Sequence, residues 1–508
     1  DGDVQQIKLS RNNDEVVNFN VNNGNNTFGI VKDLGVDPDA SEWKKVLLPW
    51  TVRASNDDNQ FKTINQQLNQ QKIQYSQRYR IRENGNNGKR DLGDIVNSPI
   101  VAVGEYLATS ANDGMVHIFK KNGGGDDRSY NLKLSYIPGT MPRKDIENKD
   151  STLAKELRAF AEKGYVGDRY GVDGGFVLRQ VNLNGKDHVF MFGAMGFGGR
   201  GAYALDLTKA DGSDPTKASL FDVKDNGNNG NNGNNRVELG YTVGTPQIGK
   251  THDGKYAAFL ASGYATKDIN STENQTALYV YDLESNNGTL IRKIEVTGGK
   301  GGLSSPTLVD KDLDGTVDIA YAGDRGGNMY RFDLSNNDPT KWSVRTIFKG
   351  TPDKPITSAP AVSKLKDKRV VIFGTGSDLS EEDVLSTDEQ HIYGIFDDDT
   401  ATTGSVNFSG LGGGLLEQEL KQEGKTLFLT DYKRSDGSGN KGWVVKLKDG
   451  QRVTVKPTVV LRTAFVTIHK YTGTDKCGAE TAILGINTAD GGKLTKKSAR
   501  PIVPEANT

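Results

Sequence analysis

Cysteine is almost missing from this sequence: Cys477 is the single thiol in 508 residues. It has no partner in the chain for a disulfide, and it cannot by itself form a multi-thiolate metal centre. Histidine is nearly as scarce. His117, His188, His252, His391 and His469 are scattered, with no pair at metal-ligand spacing, and they read as strand or loop residues. Long apolar runs are absent too, and nothing approaches the ~20 residues of a membrane span. Neither sign of charge dominates: 64 basic and 65 acidic residues leave a formal net charge of −1, with no long basic run. That balance argues against a general nucleic-acid binder. The chain opens DGDVQQIKLS, without an initiator Met or a signal h-region, and is expected to be a mature form or an excised domain. Low cysteine use fits the cytosol and a bacterial surface protein equally well.

Glycine is what the sequence has in plenty, with 61 residues, above the usual ~7%. Between the glycines lie short clusters of β-branched and aromatic residues. Many short strands with Gly-rich turns point to an all-β fold, and 508 residues exceed one ordinary domain unless the architecture is a repeat or barrel. Repeats are present. A small residue, a proline and an apolar strand recur as NSPIVAV (97–103), GTPQIGK (244–250), SSPTLVD (304–310) and SAPAVSK (358–364). Proline suits the first residue of a strand, where no ladder N–H is needed. A third strand in each unit ends beside Asp, as in YALDLT (203–208), YVYDLE (279–284), YRFDLS (330–335) and YGIFDD (393–398). Those carboxylates suit turns, where they accept local backbone N–H bonds. With less regular copies at 174–208, 425–450 and 457–492, and the first near 93–120, there are seven units. They average about 57 residues, a fair length for four-stranded blades with some long loops. The expected fold is a seven-bladed, quinoprotein-like β-propeller with loop and short helical insertions.

The expected organisation is a non-repeat segment over 1–92, packing on or leading into the propeller, the propeller over 93–495, and a tail over 496–508. Within the first segment, Phe61, Ile64 and Leu68 of 59–71 share one helix face. In the insertion after the first unit, STLAKELRAFAEKG (151–164) predicts a helix with a Ser/Thr cap, Leu153, Leu157 and Phe160 on one side, and Gly164 as its stop. DNGNNGNNGNN (225–235) reads as a low-complexity loop tip. GFGGRG (196–201) lies between strands, not before a helix, so it is a tight turn and no phosphate cradle.

One turn carries chemistry. DKDLDGTVD (310–318) packs four aspartates into nine residues between the strand-like SPTLV and DIAYAG. Asp310, Asp312, Asp314, Gly315, Thr316 and Asp318 fit positions 1, 3, 5, 6, 7 and 9 of a calcium loop. Alternate carboxylates point inward along a tight bend that Gly315 permits, and Thr316 offers its backbone carbonyl. Unpaired carboxylates this close repel one another, and a hard dication with oxygen ligands removes that conflict. Calcium is favoured over magnesium, which keeps its waters. Position 12 is Tyr321, not the bidentate Glu of helical loops. Asp318 acting bidentately, a remote carboxylate or water must complete the shell. DPDASE (37–42) is too short and carries Pro, so it is not read as a second metal site. The turns SANDGMV (110–116) and GTGSDLS (374–380) lack the full spacing.

Six phrases carry a family likeness: LGDIVNSPIVAVG (92–104), GAMGFGGRGAYALDLT (193–208), GLSSPTLVDKDLDGTVDIAYAGDRGGNMYRFDL (302–334), SAPAV (358–362), FGTGSDL (373–379) and YGIFDD (393–398). Through them the chain resembles the PilC/PilY family of type IV pilus-tip adhesins and biogenesis factors, and is similar to the PilC proteins of Neisseria-like bacteria. The resemblance implies the C-terminal propeller of a larger protein, secreted through the periplasm and presented at the outer membrane and pilus tip. It implies roles in pilus biogenesis by opposing retraction, in twitching motility and in host-cell adhesion. The implied partners are the type IV pilus machinery, including tip or minor pilins, and a host-cell receptor. It also implies one Ca2+ site, carried onto Asp310, Asp312, Asp314, Thr316 and Asp318. Some members bear an Arg-Gly-Asp integrin motif; this chain has no such triplet.

Two other readings compete. Quinoprotein dehydrogenases use a vicinal disulfide and many tryptophans, whereas this chain has Cys477 alone and only Trp43, Trp50, Trp342 and Trp443. No enzyme is expected. A calcium-stabilised extracellular binding propeller of integrin-like or lectin-like type would repeat the aspartate pattern in several blades, and here it occurs once.

Overall fold

A computed structural model describes residues 7–10, 15–19, 47, 100–110, 114–123, 129–138, 143–144, 149–163, 172, 174–212, 215–224, 236–285, 287–399, 406–407, 414–433 and 439–494. The expectations for 37–42, 59–71, 225–235 and 496–508 lie outside them. The prolines punctuate strands as anticipated. Strands begin at the residue after Pro246, Pro306 and Pro360, namely Gln247–Lys250, Thr307–Val309 and Ala361–Lys364. Each opens a sheet whose first three strands run antiparallel and in chain order.

Among the described residues six such sheets succeed one another. The first three are four-stranded, over 100–136, 176–224 and 247–295. In the fourth, Thr307–Val309, Ile319–Gly323, Met329–Asp333 and Ser343–Lys349 are joined by the short parallel strand Val406–Asn407. The last has three strands, Thr458–Val460, Thr463–Thr472 and Gly478–Asn487. The architecture is a β-propeller.

The fifth sheet corrects one expectation. The described residues of 425–450 do not form a sheet of their own. Gly442–Lys446 and Thr426–Leu429 belong to a six-stranded sheet with Ala361–Lys364, Arg369–Gly374, His391–Asp397 and Leu415–Glu423. The cause is a packing pair. Trp443 lies opposite Gly394 in the ladder, and a Cβ on Gly394 would come within 2.1 Å of the indole. The buried indole donates from Nε1 to the Thr488 carbonyl at 2.8 Å. A count of seven blades therefore rests on the sequence spacing.

The chain divides into two compact units, 1–248 with 281–290, and 249–280 with 291–508. In the first unit, the expected helix is present as Leu153–Lys163. Thr152 Oγ1 caps it by accepting from the Lys155 N–H at 3.1 Å, a contact worth ~1 kcal/mol. Leu153 and Leu157 are buried, while the side chain of Phe160 lies outside the described residues. GFGGRG is a turn as expected, with a 3-10 segment at Gly196–Gly198. In the second unit, the strand Ile319–Gly323 is buried along both faces. Ala320 and Ala322 pack with Phe259, Phe332 and Trp342. Ile319 and Tyr321 pack on the other side with Phe348, Phe373 and Tyr393. This alternation of faces along a strand holds the turn that precedes it between two cores. Among the described residues no helix is long and apolar enough to cross a membrane.

Candidate metal centre

The turn is a hairpin loop. Val309 pairs with Ile319 at its base, and the Asp318 N–H donates to the Val309 carbonyl at 2.9 Å. At its far end Leu313 has φ +57° and is 88% exposed, and Gly315 has φ +88°. A Cβ on Gly315 would meet nothing within 4 Å, so glycine serves the backbone conformation there and not a close approach.

The aspartates order the loop through its own backbone. Asp310 accepts from the Asp314 N–H at 3.2 Å and the Gly315 N–H at 2.8 Å. Asp314 Oδ1 accepts from the Thr316 N–H at 2.9 Å and from its hydroxyl at 2.7 Å. Those bonds, the hydroxyl's first, lower the pKa of Asp314. Asp318, only 2% exposed, accepts from the Lys311 N–H at 2.8 Å. Asp312 has no hydrogen-bond partner among the described residues. One oxygen from each of Asp310, Asp312, Asp314 and Asp318 falls within 4.8 Å of the others.

Sequence reasoning missed one neighbour. His252 Nε2 lies 2.8 Å from Asp318 Oδ1 and 3.2 Å from Thr316 Oγ1. Since a carboxylate only accepts, the ring N–H donates to Asp318. His252 arrives because the loop's exit runs beside the preceding strand. The Val317 N–H donates to the Lys250 carbonyl at 2.8 Å, and Thr316 bridges Lys250 in parallel. Gly249 makes room, since a Cβ there would come within 2.5 Å of Val317. No local spacing could have pointed to His252.

The donor set suits a hard cation. Each carboxylate has about four lone-pair sites, and the bonds above consume at most two on any of them. Every candidate ligand is oxygen, the chemistry of calcium and magnesium sites. Tyr321, at the position where helical loops carry Glu, is buried and donates its hydroxyl to Asp397. It belongs to the core and leaves the loop without a twelfth-position ligand.

That bond leads to a second group of carboxylates. Arg331 contacts Asp397 Oδ2 and Asp399 Oδ1 at 2.8 Å each, and Asp333 at 2.9 Å. Arg369 adds a 2.8 Å contact to Asp399, and Arg345 a 3.2 Å contact to Asp397. Burial would raise the pKa of Asp399, but hydrogen bonds and charge from Arg369 and Arg331 outweigh it, and it is pushed down to about 2. The strand-end aspartates thus divide. Asp206 and Asp282 accept backbone N–H bonds as expected, from Thr208 at 3.2 Å and Glu284 at 2.8 Å. Asp333 and Asp397 pair with arginines.

Residues 92–433 match the family model described as the PilY1 beta-propeller domain. The chain is 29% identical over 415 residues to the type IV pilus biogenesis factor PilY1 of Pseudomonas aeruginosa strain PAK, covering 69% of this chain and 32% of that protein. The PilY1 of strain UCBPP-PA14 is 30% identical over 404 residues, covering 70% and 33%. A PilY1 homolog of Xylella fastidiosa strain Temecula1 is 26% identical over 413 residues, covering 78% and 29%. The chain therefore spans about a third of the length of these curated relatives. The crystal structure of the P. aeruginosa PilY1 C-terminal domain matches with a TM-score of 0.57 at 24% identity, covering 77% of this chain and 80% of that one. That likeness shows the fold.

Proposed function

The chain belongs to the PilY1 β-propeller family, and from that membership we propose that it is a calcium-binding, non-catalytic domain of a type IV pilus biogenesis factor. One observation carries the metal reading: four aspartate oxygens lie within 4.8 Å, with His252 the only basic side chain bonded to any of them among the described residues. Asp310, Asp312, Asp314 and Asp318 would hold the ion through carboxylates and Thr316 through its carbonyl. Calcium there would fix the loop and the strands beside it, letting the cation concentration set the order of one surface. On this reading that surface engages the pilus machinery at the cell surface and pilus tip, opposes retraction, and supports twitching motility and host-cell adhesion. The names of the relatives support the pilus role; adhesion, motility and location extend from the family resemblance.

Calorimetric titration of the chelator-stripped protein with calcium, beside Asp314→Ala, tests the metal reading. One site in the native protein and none in the variant is expected. Binding untouched by the substitution would make the aspartates a solvated turn. Bacteria carrying the same variant test the pilus reading separately, through retraction and adherence across calcium concentrations. Unchanged behaviour in a variant that no longer binds calcium would sink the switch.

A further inference from the structure

Beside the aspartate loop the second unit holds an open cleft of about 820 Å³, within the ~300–1,000 Å³ range of ligand sites. Its walls come from the first strands of three sheets, Thr307–Val309, Ala361–Lys364 and Thr458–Val460, and from the loop itself. Leu308, Val362 and Val459 supply apolar wall, and the exposed Leu313 adds to it from the loop.

Three lysines, Lys311, Lys364 and Lys456, line this space, and none has a side-chain ion-pair partner among the described residues. Arg369 also lines it, with a guanidinium nitrogen engaged by Asp399. The one carboxylate among the lining residues is Asp310, which already accepts two loop N–H bonds. Lys456 is exposed as a residue, yet the protein around its ammonium desolvates it and lowers its pKa. An arriving anion would offset that cost.

We propose that this cleft binds an acidic peptide segment, its carboxylates on Lys311, Lys364 and Lys456 and its apolar side chains on the Leu308, Val362 and Val459 wall. The chemistry selects this class. A single-stranded nucleic acid would stack bases on aromatic side chains, and no aromatic residue lines the cleft. A bare polyanion would leave the apolar wall unused. The cleft does not require a metal in the loop.

The test is fluorescence anisotropy of the full chain with a labelled Asp-Leu-Glu-Val-Asp-Leu peptide, in chelator and again with calcium. Saturable binding in chelator is expected, at least about tenfold weaker for the Asn-Leu-Gln-Val-Asn-Leu isostere and for K364E/K456E, as charge-assisted recognition requires. Lys421→Glu, on an exposed strand position outside the cleft, should leave it unchanged. Circular dichroism checks each variant's fold, and K364Q/K456Q replaces the reversal if that variant unfolds. Absence of saturable binding, equal affinity for the isostere, or an undiminished double variant would overturn the proposal. So would displacement of the peptide by oligothymidylate or a heparin fragment at lower concentration than by the unlabelled peptide, which would make the cleft a polyanion site. Because the first arm is metal-free, failure of the calcium reading leaves this result readable by itself.

Discussion

The second unit gathers aspartates twice, and the two gatherings are built on opposite principles. Asp333, Asp397 and Asp399 are answered by Arg331, Arg345 and Arg369, whose guanidinium groups come from separate strands. Asp310, Asp314 and Asp318 are answered by the loop's own backbone N–H groups, one hydroxyl and one histidine, and Asp312 by no hydrogen bond among the described residues. The first arrangement is neutralised from within the protein, so it can sit against the core and hold strands together. The second keeps carboxylate lone pairs free on a loop that runs from exposed Asp312 and Asp314 to buried Asp318, the condition a cation from solution would need. Charge compensation, not carboxylate density, separates a structural cluster from a candidate site.

The comparison can be broken most sharply at Arg331. Arg331→Ala leaves the buried Asp397 with only Arg345 and the Tyr321 hydroxyl among the described residues, and a loss of about 2–3 kcal/mol is expected, read as a lower denaturant midpoint. The loss should be the same with calcium or chelator. A loss that calcium repaired would show that the two groups are not independent.

Acid sharpens the contrast next. Asp399 has a folded-state pKa depressed to about 2, against ~3.9 unfolded. Its contribution is complete above the unfolded value and is lost as pH falls through the folded one, between about pH 4 and 2. Thermal midpoints followed down this range should fall for the native chain and fall less for Asp399→Asn. Equal slopes would mean that Asp399 is not held by its arginines.

The smallest effect belongs to Gly315→Ala. With open space around the site, only the left-handed backbone conformation at φ +88° resists a side chain, at roughly 1–2 kcal/mol. Calcium affinity should fall by about an order of magnitude if that strain is expressed in the loop. A fall comparable to that of Asp314→Ala would mean that the substitution displaces the carboxylates themselves.

The loop was legible because its candidate ligands are neighbours in the chain. Asp310, Asp312, Asp314 and Asp318 need only a bend to converge, and Gly315 announces the bend. His252 was not legible, since it reaches Asp318 through the pairing of Lys250 with Thr316 across two sheets. The arginine network was invisible for the same reason. The repeats were legible where a small residue and a proline mark the start of a strand. They misled at 425–450, where Trp443 needs the space left by Gly394 and so joins that strand's sheet. Local grammar carried the turns and strand starts, whereas sheet membership followed from side-chain volume.

Asp310, Lys311 and Leu313 belong to the loop and also line the cleft. Two ligands that share a wall have a direct route by which each can alter the other's affinity. Whatever factor a cation in the loop applies to the hold on an acidic segment, the segment must return to the cation. Where that factor exceeds one, a tethered partner would retain the ion at concentrations where the free domain releases it, and where it falls below one the partner would expel it.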